Sequence, residues 1–208
     1  MKALIDKIRS ISKIQILALV LIVAGLGIMV SKGLGMFEFY KEVRYAQENN
    51  FKAGNLSTDL LRPWMTLRYI SVSYAVPQKY LFDEAGIKPK KENSMISVSR
   101  LNAQMNLGGV KGRPVLLSTI GDAINKYRAN PVATGFIEQH VSDWMSIQYI
   151  ANSTGISAQI IFDELGISMV GNAYMPLGYL SDTVSFAGGP KALVAEVQKI
   201  IDSRQVQP

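Results

Sequence analysis

Residues 64–87 read WMTLRYISVSYAVPQKYLFDEAGI, and residues 144–167 read WMSIQYIANSTGISAQIIFDELGI. The two stretches align without a gap, 80 positions apart, and ten of their 24 positions are identical. The identities pair Trp64 with Trp144, Met65 with Met145, Tyr69 with Tyr149, Ile70 with Ile150, Ser73 with Ser153, Phe82 with Phe162, Asp83 with Asp163, Glu84 with Glu164, Gly86 with Gly166 and Ile87 with Ile167. Chance does not produce this at one fixed offset, so an internal duplication is expected. It constrains the fold strongly, because one packing solution must then serve two diverged sequences.

The likeness continues more faintly downstream. Residues 98–101 (VSRL) correspond to 177–180 (LGYL), Gly108-Gly109 to Gly188-Gly189, and Pro114 to Pro190. Leu116, Ile120 and Ile124 share their spacing with Leu193, Val197 and Ile201. The units are thus expected at 62–128 and 142–204, joined by a connector at 129–141 that holds Pro131 and Gly135. Each reads as four short helices, and nothing in them alternates as a sheet would. In the second unit Ser146 is expected to cap a helix that turns Ile147, Ile150 and Ala151 inward and stops at Gly155. Ser157 is expected to cap the next, with Ile160, Ile161 and Leu165 inward and Gly166 as its stop. Pro176 and Pro190 suit the first turns of the third and fourth, the last carrying Leu193, Val194, Val197 and Ile200 on one face. In the first unit Pro77 stands in place of Ser157 and Ala75 in place of Gly155, which predicts a less comfortable turn. Phe82 and Phe162 occupy matching inward positions.

Ahead of the units, residues 14–30 read IQILALVLIVAGLGIMV, 17 positions without a charge and with Gln15 as the one strongly polar side chain. That is the short end of what spans a bilayer. Lys2, Lys7, Arg9 and Lys13 precede it against Asp6 alone, whereas Lys32, Lys41 and Arg44 after it are interleaved with Glu38 and Glu42. The denser basic flank predicts a cytoplasmic N-terminus, with the bulk of the chain extracytoplasmic. Phe37, Phe39, Tyr40 and Tyr45 follow as an interfacial aromatic belt would. A cleaved signal peptide is the rival reading, but its small residues, Gly25 and Gly27, fall inside the apolar run. The expected fold class is all-α: a basic segment at 1–13, one transmembrane helix at 14–31, a juxtamembrane segment at 32–61, two tandem four-helix units and a short tail at 205–208.

The run Ser146-Ile147-Gln148-Tyr149-Ile150-Ala151, then Gly155-Ile156, then Ile161, resembles the helix-turn-helix of DNA-binding proteins. It also resembles the central helices of the LysM glycan-binding module, Thr-Leu-x-x-Ile-Ala-x-x-x-Gly-Val. More loosely, it is similar to small helical repeats ending in Leu-Gly-Ile that membrane-bound redox proteins carry as appendages. The first resemblance implies nucleic-acid binding through the second helix, and the second implies glycan binding. That second helix, AQIIFDEL at 158–165, has no basic residue and carries Asp163 and Glu164, which weighs against base and phosphate contacts. In the first unit only Lys79 is basic there.

Composition narrows the chemistry. There is no cysteine and one histidine, His140, so thiolate sites and multi-histidine metal sites within one chain are excluded. Asp83-Glu84 and Asp163-Glu164 are adjacent on helices and so point apart, which disfavours paired-carboxylate catalysis. Trp64 and Trp144 are expected to pack on or lid their units, and His140 to lie solvated in the connector. Gly108-Gly109 with Lys111 and Arg113 ahead of a helix start reads as a loop or an anion-binding turn. No catalytic residue, metal, cofactor or small-molecule substrate is expected.

Charge divides the two units. Residues 62–128 hold 11 Lys or Arg against 4 Asp or Glu, and residues 136–204 hold 3 against 7. Lys88, Lys90, Lys91, Arg100, Lys111 and Arg113 are the candidate binding residues of the basic unit; Lys90 and Lys91 are expected in a loop beside Pro89. The function expected from these features is that of a non-catalytic, membrane-anchored accessory or scaffold protein. Its expected partners are membrane lipid and a protein or a second copy of the chain. LysM-like binding of envelope glycan is the first alternative, and membrane-tethered nucleic-acid binding the second.

Overall fold

The computed structural model describes residues 56–135, 137 and 140–205, all within one compact unit. The apolar run at 14–30 lies outside the described residues, and among the described residues no helix is long and apolar enough to cross a membrane. The described chain is mostly helical, as expected, with nine α-helices and little strand. After a 3-10 turn at Thr58–Leu60, the first half holds α1 (Leu67–Tyr74), α2 (Gln78–Glu84), α3 (Lys91–Met95), α4 (Val98–Gln104), the strands β1 (Gly109–Val110) and β2 (Arg113–Pro114), and α5 (Val115–Ala129). The second half holds α6 (Ile147–Thr154), α7 (Ala158–Leu165), α8 (Leu177–Thr183) and α9 (Gly189–Gln205).

Local chemistry sets the helix ends. The Thr66 hydroxyl accepts from the Tyr69 N–H at 3.1 Å to start α1, and the Ser146 hydroxyl accepts from the Tyr149 N–H at 3.2 Å to start α6. Both helices stop on a left-handed residue, Ala75 at φ 50° and Gly155 at φ 83°. A side chain resists that conformation by about 1–2 kcal/mol. Ala75 is 2% exposed, so burial of its methyl offsets part of the strain. Gly155 has no such compensation, because a Cβ there would meet the Ala133 Cβ at 3.3 Å. Gly155→Ala is therefore expected to lower stability by about 1–2 kcal/mol, read as a lower urea midpoint at unchanged slope. An unshifted midpoint would contradict the turn geometry.

In both halves the first two helices are tied to the later ones by similar contacts. The Val98 N–H donates to Met65 O at 2.8 Å, and the Leu177 N–H donates to Met145 O at 2.8 Å. A single antiparallel bridge accompanies each, Thr66 with Ser97 and Ser146 with Pro176. The Ile87 N–H donates to Phe82 O and the Ile167 N–H to Phe162 O, each just past a left-handed glycine, Gly86 or Gly166. Glu84 on α2 pairs with Lys126 on α5 at 2.8 Å, and Glu164 on α7 pairs with Arg204 on α9. Phe82 is 2% exposed and Phe162 fully buried, as their spacing predicts. Leu116, Ile120 and Ile124 on α5 and Leu193, Val197 and Ile201 on α9 are likewise buried.

The halves meet through α1 and α6, which pack together. The Asn152 side chain on α6 donates to Ala75 O at 2.6 Å and accepts from Gln148 Nε2 at 2.8 Å. The Arg68 guanidinium lies 5.3 Å from the Trp144 ring centre, and Val72 packs on the core of the second half. Thr134 and Gly135 of the connector both donate to Ser153 O, so this part of the connector is fastened to α6.

Several expectations need correction. The first half has five α-helices rather than four, since α3 forms between the loop and α4, and it adds a β-hairpin. Lys91 accordingly begins a helix instead of lying in a loop. Ile160 points outward at 36% exposure: α7 turns Ile161 and Phe162 inward, and three successive residues span too wide an arc for one face. The Ser157 side chain makes no capping bond. Its backbone, φ −57° and ψ 133°, nearly matches that of Pro77 at −52° and 130°, so proline meets the requirement of that position as well as serine does.

Candidate docking surface

All six candidate cations, Lys88, Lys90, Lys91, Arg100, Lys111 and Arg113, are exposed. Among the described residues none of them is paired with a carboxylate, whereas Lys79, Lys126, Lys199 and Arg204 each are. Lys88 and Lys90 lie between α2 and α3, and Lys91 opens α3, which packs on α1. Arg100 is on α4, Lys111 at the hairpin tip and Arg113 on β2; α4 packs against β2, so these three stand on adjoining elements.

The hairpin has a defined geometry. Gly109 is opposite Pro114 and Val110 is opposite Arg113, with Lys111 and Gly112 as the turn. Both turn residues have positive φ, 51° and 77°, the combination of a type I′ turn whose twist matches that of the paired strands. Asparagine or glycine usually fills the position taken by Lys111. A Cβ on Gly109 would approach Arg113 O to 3.0 Å, so the close strand approach calls for glycine there. Asn102, 8% exposed on α4, holds both ends of the hairpin. Its Nδ2 donates to Leu107 O at 2.6 Å and Gly108 O at 3.2 Å, and its Oδ1 accepts from the Leu116 N–H at 2.9 Å. Pro114 offers no side-chain cap to α5, so Asn102 supplies one from another helix. Residue reading did not single out Asn102; its one signal is a polar side chain between Leu101 and Leu116, both buried.

The second half differs at this point. Ser181, the fifth residue of α8 as Asn102 is of α4, is buried, and its hydroxyl has no hydrogen-bond partner among the described residues. No hairpin follows, and α9 starts at Gly189.

The acidic pairs diverge, as adjacent helical residues must. Asp83 bonds Lys79 within α2 and Asp163 bonds Gln159 within α7, while Glu84 and Glu164 reach the long helices. Trp64 and Trp144 are half-buried, with ring centres 5.7 Å from Tyr69 and 6.2 Å from Tyr149. His140 is exposed. Burial pushes the Tyr127 phenol up to about 12 and raises Tyr80, while the hydrogen bond to Glu84 raises Lys126. All three keep their protons at neutral pH, so none serves as a base there. Among the described residues no cluster of His, Asp or Glu could hold a metal ion. A shallow depression of about 390 Å³ between the end of α7 and the segment before α9 is lined by uncharged residues, including Leu165, Ile167, Val184 and Phe186.

No protein-family model matches the chain, and no curated protein or solved structure matches it.

Proposed function

We propose that this chain is a non-catalytic, single-pass membrane-anchored accessory or scaffold protein. In this reading it consists of an N-terminal anchor and two tandem copies of one helical unit that dock partners at the membrane surface. The observation that carries the reading is the charge division: 11 cations against 4 acids in 62–128, and 3 against 7 in 136–204. Copies of one unit that keep its core and diverge in charge face different surroundings, and opposite surface potentials steer association with different partners. Among the described residues the six candidate cations have no carboxylate partner, which supports this, since charges engaged in internal ion pairs would have less to offer a partner. The parallel contacts of the two halves, Glu84–Lys126 beside Glu164–Arg204 above all, support the duplication. The uncharged run at 14–30 supports the anchor.

The experiment has two parts. A reporter fused after Pro208 is expected to be extracytoplasmic, and the chain to stay in the membrane at high salt. Cytoplasmic reporter activity would overturn the orientation and favour the nucleic-acid alternative. Crosslinked partners captured from native membranes then serve as ligands for the triple variant Lys90→Glu, Lys91→Glu, Lys111→Glu. Their association is expected to slow about tenfold or more and to weaken with salt over a screening length of about 10 Å at 0.1 M. The fold should survive, because these are exposed positions. Association indifferent to both salt and charge reversal would overturn the electrostatic docking.

A further inference from the structure

We propose that the β1–β2 hairpin is a lipid-contacting finger that sets Val110 among the headgroups of an anionic bilayer, with Lys111 and Arg113 on the phosphates beside it. This rests on the membrane-surface reading above and names the lipid partner of one element of its basic half, the hairpin. Val110 is 65% exposed at the end of β1. It lies directly opposite Arg113, which puts the two side chains on one face of the ribbon. Lys111 holds a left-handed backbone, φ 51°, at the very tip. A lysine is uncommon there, and a strained exposed residue needs a surrounding structure that imposes it. Asn102 is that structure: it fastens the chain immediately before and after the hairpin, so the tip is presented by a braced element.

The local charge is one-sided. Residues 93–121 hold Arg100, Lys111 and Arg113 and no Asp or Glu. In the second half, the five residues from Val184 to Gly188, between α8 and α9, carry no charge and form no hairpin. The finger therefore belongs to the basic half alone.

Lipid fits this tip better than protein does. A stable protein interface buries roughly 800 Å² on each partner, and a ribbon with two residues per strand presents far less. A headgroup layer needs no such area. Diffuse negative charge attracts the cations, and burial of an exposed apolar side chain adds to that attraction.

The absence of cysteine makes the test direct, because Val110→Cys creates a unique attachment point for an environment-sensitive fluorophore. The full chain, labelled there, is reconstituted into vesicles of phosphatidylcholine, or of equal parts phosphatidylcholine and phosphatidylglycerol. In the anionic vesicles the emission is expected to shift to the blue and to be quenched by brominated lipid. In neutral vesicles it should remain as in water. The same label on Val170→Cys, a residue 88% exposed in the other half, should remain aqueous in both. Adding Lys111→Glu and Arg113→Glu to Val110→Cys should reduce the quenched fraction at least about tenfold, with circular dichroism confirming an intact fold. Asn102→Ser should reduce it while leaving the tip charges in place. An aqueous signal at Val110→Cys in anionic vesicles overturns the proposal. So does equal quenching in both lipids, or a response to duplex DNA in place of vesicles. Alkaline extraction of the same vesicles scores the anchor separately. A chain that stays in the pellet with an aqueous Val110→Cys label fails the finger alone, and a chain extracted from the pellet fails the anchor alone.

Discussion

Phe162→Ala is expected to destabilise the helical unit by about 3–5 kcal/mol. The ring is fully buried on α7, in one cluster with Ile147, Ile150, Leu177, Leu180, Val197 and Ile201 from α6, α8 and α9. The helix that carries it packs against α6 and α9, and close-packed neighbours cannot collapse into the space that its removal leaves. A single domain is stable by about 5–15 kcal/mol in total, so this loss is a large fraction of it. Phe162→Leu removes fewer buried carbons than Phe162→Ala and should lose less. Urea unfolding of the detergent-solubilised chain, followed by circular dichroism, measures both. A loss below about 1 kcal/mol for Phe162→Ala would contradict the burial, since cavity formation at a fully enclosed site is well above that range.

Asn102→Ala is expected to lower stability by about 1–3 kcal/mol, the range for stranding one buried polar group. Three hydrogen bonds are lost, but they are not equivalent. Gly108 is exposed and Leu107 half-buried, so water can replace the amide at those carbonyls. Leu116 is fully buried, and its N–H at the start of α5 has no substitute. That donor therefore dominates the loss. Asn102→Asp separates the parts: a carboxylate still accepts from Leu116 but cannot donate to Leu107 O or Gly108 O. It should retain α5 and loosen the hairpin. Amide exchange reports this site by site, with Leu116 fast in the alanine variant and slow in the aspartate variant. Unchanged Leu116 protection in Asn102→Ala would refute the cap.

Much of the helical layout was legible because it depends on short stretches of chain. Ile147 and Ile150, or Leu193, Val197 and Ile201, recur at the spacing that puts them on one helix face. The structure buries all five. Gly155 and Gly166 mark stops because a left-handed residue is a local demand, met or not by the residue itself. The failures are equally specific. Ile160 is apolar and yet faces outward, because Ile161 and Phe162 already fill the inward side of α7. Ser157 is a capping residue by type, although its helix start needs only the backbone that Pro77 also provides. Lys90 and Lys91 stand beside Pro89, a loop signal, yet α3 begins at Lys91.

The candidate site was legible only as charge. All six cations are exposed, because a charged side chain without a buried partner stays in water. Their arrangement was not legible. Asn102 and Leu116 are 14 positions apart in sequence and 2.9 Å apart in space, and that single bond both starts α5 and braces the hairpin. Asn152 reaches Ala75 across 77 positions to join the halves. By itself, then, the sequence determined most of the helix positions, the stops at Gly155 and Gly166, most of the inward apolar positions and the charge division, because each is set within a few residues by backbone geometry or solvation. Tertiary structure alone decided the bracing of the hairpin by Asn102, the cap on α5 and the contact between α1 and α6. Each depends on a polar group meeting a partner from a remote segment, and local spacing carries no information about which partner will be there.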